Sequence, residues 1–422
     1  MKEQLRFFIL LTGIFYLLTL FAFADTSEVY KIHTAIVEPS LSEKIKLIPQ
    51  DTMVRVIITL IDQPYGAIKK DLEERYSTQI EDLRSSLESI RQTENSEEIK
   101  AVLKNITSLN NRIIFEAYNR AKEMVDEGQR AIVSQIEFLG EKVNYRYVIV
   151  NSISAIIPAE GIEGLSTLPE IALISEDRRM EANLNVSIPS VFADTWWNNG
   201  FTGGIFDAAI VDSGMDTAHP AFSGKTFVSS TFHTTGSTDP CYDDNPATTD
   251  DINGHGTHVG GIVMSQGALE CPACRGVAYG LDKTFNLKAA WKNSCSGGAS
   301  MYFSDAMAAV DWAESQGDSP DVYNLSYSGE TASDDSAFAR FWDAVVSMNG
   351  KPVSLSAGNS GPSNTNFNDP AISYNAVTVA NINDYNNTDR SDDIIRNSST
   401  RGPTASGRKK PDLSTLPQPS LT

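Results

Sequence analysis

The sequence predicts two modules of different class, an open α+β sandwich followed by an α/β domain built on a parallel sheet. Three observations carry this expectation. Residues Val54–Ile61 read VRVIITLI, a β-branched run with the density of a strand. Apolar residues then recur three or four apart from Ile68 to about Ile136, the period of helices. Beyond residue 183, five short apolar runs alternate with helical stretches, the rhythm of buried parallel strands joined by helices. At 422 residues, 41% of them apolar and 21% charged, the chain is long enough for more than one core.

The elements follow in order. Lys2 and Arg6, the apolar run Phe7–Phe21 and the Ala22-Phe23-Ala24 cleavage pattern make residues 1–24 a secretory signal peptide. That run is short for a membrane span, and no other stretch approaches eighteen apolar residues. The expectation is a secreted protein, extracellular or periplasmic, with no membrane contact once the signal is removed. After the Val54–Ile61 strand, Ile68, Leu72, Tyr76, Ile80, Leu83, Leu87 and Ile90 mark one helical face. A turn-like Glu94–Glu97 interrupts it, and Ile99, Leu103, Ile106, Leu109 and Ile113 resume the period, so the pair reads as a helical hairpin. Strands are predicted at Tyr145–Val150, Ser152–Ile157 and Glu170–Ser175, with a helix at Glu160–Leu168. The order is that of a split βαβ, or ferredoxin-like, module. The charged stretch Glu176-Asp177-Arg178-Arg179 leads into polar Asn183–Val186 and reads as its exit. Parallel strands are then predicted at Ala208–Val211, Asn286–Ala290, Val322–Leu325, Val353–Ala357 and Ala376–Ala380, with helices at Ser300–Ser315 and Ser333–Met348.

Charge narrows the partners. With 34 basic and 54 acidic residues the formal net charge is −20, which argues against nucleic acid or an anionic membrane surface. Four cysteines are too few for a disulfide scaffold.

Three loops at the carboxyl ends of predicted strands carry chemistry, the place where open α/β sheets build their sites. The first strand ends at Asp212, followed by Ser213-Gly214, a turn whose N–H groups can keep a carboxylate ionised. The second loop is Gly254-His255-Gly256-Thr257-His258, ahead of a run of small residues that can open a closely packed helix. In the third, Ala357-Gly358-Asn359-Ser360-Gly361 delivers an amide into a glycine-flanked turn. An acid to orient an imidazole, the imidazole as base and an amide for a developing oxyanion are three of the four parts of an acyl-transfer site. Singly, each has a plainer meaning: a turn, a two-His metal pair without a third ligand, a left-handed Asn.

Together and in this order they resemble the subtilisin-like serine peptidases, whose triad runs Asp, His, Ser. The resemblance implies that Asp212 is the orienting acid, His255 the general base and Asn359 the oxyanion-hole amide, with His258 structural. It implies that Ser326, Tyr327 and Ser328, in Asn324-Leu325-Ser326-Tyr327-Ser328-Gly329, bind substrate, although the family pattern has Gly where Ser328 stands. Residues 25–182 resemble the family's propeptide, a folding chaperone and intramolecular inhibitor, here with a long helical hairpin; residues 183–422 resemble the peptidase domain. Polypeptides are the implied substrates, and no cofactor is needed.

The nucleophile is not among these residues. The family carries it in a G-T-S-M-A segment opening a buried helix after the Asn loop. Here Ser399–Pro403 and Gly407–Ser414 match the approach to that segment, and Thr415–Thr422 departs from it, as a frameshift or truncation would produce. Gly297-Gly298-Ala299-Ser300-Met301 is similar to the motif but precedes Asn359 and is followed by Tyr302-Phe303 where small residues belong. The expectation is a chain that, as written, hydrolyses peptides poorly. The alternative is a non-catalytic pseudoprotease or a propeptide-type protease inhibitor. Cys241, Cys271, Cys274 and Cys295 are expected to form two disulfides in an exported protein, in any of three pairings. Asp239, Asp243, Asp244, Asp250 and Asp251 crowd the loop before His255. They offer oxygen ligands for a structural calcium, and the expectation there is a solvated acidic loop.

Overall fold

The computed structural model describes residues 37–90, 96–138, 143–177, 179–182, 193–233, 239–268, 271–329, 336–362, 367–383 and 391–415. The signal-peptide segment lies outside them. The chain divides into two compact units, one of residues 1–143, 148–176 and 343–352, the other of residues 144–147, 177–342 and 353–422.

The first unit runs α1 (Pro39–Leu47), β1 (Met53–Leu60), α2 (Pro64–Arg75), α3 (Ser77–Ile90), α4 (Ser96–Phe138), β2 (Val143–Tyr147, which straddles the division), β3 (Ser152–Pro158), α5 (Ala159–Ser166) and β4 (Ile171–Glu176). Strand β1 is central, antiparallel to both β3 and β4, with Val56 opposite Ala155 and Ile58 between Ile153 and Ile174. Alternation then puts Val54, Val56, Ile58 and Leu60 in one core with Ile132 and Ile136 of α4 and Ile162 and Leu165 of α5. The first helical stretch is two helices, not one. It breaks at Tyr76, whose φ of −91° and ψ of 5° leave the helical region and whose hydroxyl donates to Glu116 Oε1 on α4 at 2.8 Å. Periodicity alone carries across such a break, because one residue barely shifts the phase. The strand expected as far as Val150 ends at Tyr147. Val148, Ile149 and Val150 are buried in a turn that Asn151 fastens: its N–H donates to Gln63 Oε1 at 2.9 Å, its amide to Asp62 O at 2.8 Å, and Gln129 donates to its Oδ1 at 2.9 Å.

The second unit runs β5 (Arg179–Ala182), α6 (Ala193–Asn198), β6 (Asp207–Asp212), β7 (Thr226–Thr231), α7 (His255–Met264), β8 (Gln266–Ala268), β9 (Cys271–Arg275), β10 (Lys283–Lys288), β11 (Ala290–Lys292), β12 (Ala299–Tyr302), α8 (Phe303–Glu314), β13 (Val322–Leu325), β14 (Tyr327–Ser328), α9 (Ala337–Asn349, which straddles the division), β15 (Val353–Ser356), β16 (Val377–Asn383), β17 (Ile394–Ile395) and β18 (Leu413–Thr415). Its main sheet has the order β17-β16-β15-β13-β6-β10-β7, with β18 beside β16. Every pairing in it is parallel except that of β17. The predicted α/β class holds, and the five predicted strands fall on β6, β10, β13, β15 and β16. A smaller antiparallel sheet, β11-β12-β5-β14, seats residues 179–182 between two strands of this unit.

The charged stretch spans the division between the units, and Asp177 in it has a further role. Asp177 is buried and accepts from the backbone N–H of Ser304 at 2.9 Å, at the first turn of α8. A carboxylate there meets unpaired helical N–H groups and the positive end of the helix dipole.

Candidate active site

Parallel pairing of β6 with β10 and β13 brings Asp212 to the carboxyl end of the sheet. Asp212 is 1% exposed, and its Oδ1 accepts from the backbone N–H of Ser213 at 2.7 Å. His255 opens α7 after Gly254, whose φ of +98° is the left-handed conformation that favours glycine. His255 Nδ1 lies 2.6 Å from Asp212 Oδ1, both side chains 2% exposed. Close approach of the two elements needs a glycine: a Cβ on Gly256 would stand 2.0 Å from Gly214 O and 3.1 Å from the Asp212 side chain.

Asp251 ties these parts together. Its Oδ1 accepts from Ser213 Oγ at 2.8 Å and from the N–H groups of Asn253 and Gly254 at 3.1 and 2.8 Å. Its Oδ2 accepts from Thr257 N–H at 2.8 Å and Thr257 Oγ1 at 2.7 Å. One carboxylate therefore fastens the strand end that bears Asp212 to the helix that bears His255. The acidic loop is solvated only in part. Asp244 is paired at 2.9 Å with a fully buried Lys288, and Asp239 accepts from Cys241 N–H at 2.9 Å. Backbone N–H groups and a buried lysine take up Asp239, Asp244 and Asp251, while Asp243 and Asp250 are exposed. No group of three or more metal-ligating side chains is assembled among the described residues.

Asn359 stands exposed in the loop after β15 and lines a cavity of about 340 Å³ with Ser326, Ser356 and Gly358, against Val259 and Val263 of α7. The segment beginning at Ser399 braces this loop: Thr400 N–H donates to Gly358 O at 3.0 Å, and Ser360 N–H to Thr400 Oγ1 at 3.0 Å. Sequence reasoning took that segment only as a landmark, since a brace made through backbone groups leaves no motif.

The remaining predicted residues fall as follows. Ser326 Oγ accepts from Asn324 Nδ2 at 2.9 Å. Tyr327 and Ser328 form β14, antiparallel to β5, with Tyr327 opposite Ala182 and Ser328 opposite Glu181. Tyr327 is wholly buried and turned toward Asp212, and burial, then the Asp212 charge, pushes its phenol well above the ordinary range. Burial, then the neighbouring His255, holds His258 below the usual imidazole range. Cys241 and Cys295 are bridged. Cys271 and Cys274 lie on β9, and their side chains are outside the described part. Ser300 is buried on β12, where its hydroxyl accepts from Asn293 Nδ2 at 2.9 Å.

Comparison with known proteins agrees with this geometry. The model of the subtilase family matches residues 208–416. Serine protease AprX of Bacillus subtilis (strain 168) is 29% identical over 288 residues, 64% of this chain and 60% of its own length. Alkaline serine exoprotease A of Vibrio alginolyticus is 29% identical over 247 residues, 54% of this chain and 41% of its own. Subtilisin E of Bacillus subtilis (strain 168) is 28% identical over 259 residues, 58% and 60% of the two chains. Among solved structures, fervidolysin from Fervidobacterium pennivorans, a keratinolytic enzyme related to subtilisin, aligns with a TM-score of 0.47 at 17% identity, covering 65% of this chain and 45% of that one. The chain thus spans from 41% to 60% of the length of these curated relatives. Over residues 208–416 the chain carries a domain that matches the subtilase family, and the relatives it is similar to there are subtilisin-like serine proteases.

Proposed function

We propose that the protein is the acid–base and oxyanion-binding part of an exported serine endopeptidase that cleaves polypeptides through an acyl-enzyme. The observation that carries this is the buried 2.6 Å contact of His255 Nδ1 with Asp212 Oδ1 at the sheet's carboxyl end. An ionised Asp212 holds the proton on Nδ1, which leaves the other ring nitrogen as the base that takes a proton from a serine hydroxyl. The Asn359 amide would then donate to the oxyanion of the tetrahedral intermediate. Seating of residues 179–182 as an extended strand between β12 and β14 supports a polypeptide substrate, recognised by backbone pairing. It also supports residues 25–182 as an inhibitory propeptide; the reading of residues 1–24 as the export signal is supported by their sequence pattern. No cofactor enters the mechanism.

The nucleophile is not placed within these residues. Loss of the serine alone costs on the order of 10⁶ in kcat in subtilisin, so residues 1–422 by themselves are expected not to hydrolyse peptides. The test is twofold. The encoding DNA, read in all three frames past codon 414, should continue with an Ala-Pro-Gly and a G-T-S-x-A segment. A fluorophosphonate probe should label the product of that longer frame and not residues 1–422. Labelling of residues 1–422 would contradict the missing nucleophile. Tight inhibition of an intact subtilase by residues 25–182, with no longer frame, would make the protein an inhibitor.

A further inference from the structure

Three elements converge on the Asp212–His255 contact, and the third has no part in the mechanism above. Strand β6 supplies the acid and α7 the base. Strand β14, held in register by β5, supplies Tyr327. The Tyr327 side chain is 0% exposed. Its hydroxyl donates to Asp212 Oδ1 at 3.3 Å, the same oxygen that His255 Nδ1 meets. Its ring lies against the imidazole, with centroids 5.1 Å apart and planes at 58°. A buried phenol needs a polar partner for its O–H, and this one has the charged carboxylate of the dyad.

We propose that Tyr327, placed by sequence among the substrate contacts, is a positioning residue for the acid–base pair. The inference rests on the reading of Asp212 and His255 as that pair. The phenol acts in two ways. Its O–H fixes the carboxylate's orientation and takes up part of the charge that Oδ1 presents to the imidazole. Its ring walls the contact from water, which strengthens the interaction within. The ionisable groups that face the pair are Asp251, from the loop ahead of α7, and His258, one turn along α7. Neither duplicates the contact of Tyr327 with both members.

The test uses the full chain with ¹⁵N-labelled histidine, following the His255 titration midpoint and its low-field Nδ1 proton by NMR. Tyr327→Phe keeps the ring and removes the donor. More carboxylate charge then faces the imidazolium, and the midpoint is expected to rise by about half a pH unit, with a shift of the Nδ1 proton. An unchanged midpoint, or a fall, overturns the proposal. Asp212→Asn separates the two readings. If Asp212→Asn moves His255 and Tyr327→Phe does not, the inference alone fails. If Asp212→Asn leaves His255 unmoved, the acid–base reading fails and the inference with it. Should Tyr327→Phe not fold, the unsubstituted chain decides: a nuclear Overhauser contact between the Tyr327 ring protons and the His255 Nδ1 proton is expected, and its absence overturns the proposal.

Discussion

Lys288 and Asp244 form a buried ion pair 2.9 Å apart, their side chains 0% and 1% exposed. Lys288 ends β10 and also donates to Asp250 O at 2.6 Å, so it anchors the acidic loop to the end of β10, between β6 and β7 of the parallel sheet. Removing one partner leaves a buried charge without its counterion. Asp244→Ala is therefore expected to cost about 3–5 kcal/mol, and Asp244→Leu with Lys288→Met much less. Urea unfolding of the variants checks this. Equal losses in the single and double variants would contradict it.

Gly256 stands where Asp212 and His255 meet. A Cβ there would lie 2.0 Å from the backbone oxygen of Gly214, a contact that flexible side chains cannot relieve. Gly256→Ala is expected to cost roughly 1–3 kcal/mol or more by overpacking. It is also expected to displace the low-field proton of His255. Unfolding and NMR at parent-like values would show that the two backbones part without cost.

His233 supplies a pH dependence. Burial first, and Lys288 second, push its imidazole down to about 4, against an opposing pull from Asp244, and its Nδ1 lies 2.6 Å from the Tyr242 hydroxyl. The folded protein thus keeps the ring neutral where the unfolded chain takes up a proton. This stability is fully present above about pH 6.5 and is lost as pH falls toward 4, by up to about 3 kcal/mol. His233→Asn should flatten the stability profile between pH 6.5 and 4. Parallel profiles for parent and variant would contradict the assignment.

The Cys241–Cys295 bridge closes a loop of sequence separation 54 that contains His255. By chain entropy, replacing both cysteines with serine should cost about 4 kcal/mol. Thermal unfolding with and without reductant checks it, and a reductant-insensitive midpoint would contradict it.

The three candidate loops could be picked out in the sequence because each is written in contiguous residues: Asp212 at a strand end, His255 ahead of small residues, Asn359 in a glycine-flanked turn. The structure brings Asp212 and His255 into contact. Strand β13 was legible to the residue, since VYNL is a short, largely apolar run whose Tyr323 and Leu325 are buried. The parts that were not legible are those made by distant or backbone partners. Strand β7 reads TFVSST, with too few apolar residues to register, and is held by pairing with β10. Strand β18 exists by its pairing with β16, Leu413 opposite Val379. Asp251 joins its own loop and helix to Ser213 at the end of β6, yet an acid ahead of a glycine turn gives no sign of which groups it will collect. Tyr327 was assigned by its place in a motif, whereas its contact with Asp212 spans 115 positions of chain.

Peptide hydrolysis by the full product of the encoding gene, beside residues 1–422 alone, tests the central claim most directly. Cleavage of an extended peptide substrate is expected from the full product, no cleavage from residues 1–422, and a fall on the order of 10⁶ in kcat for the full product carrying His255→Ala. A full product that keeps its rate after His255→Ala, or cleavage by residues 1–422 alone, would contradict the account.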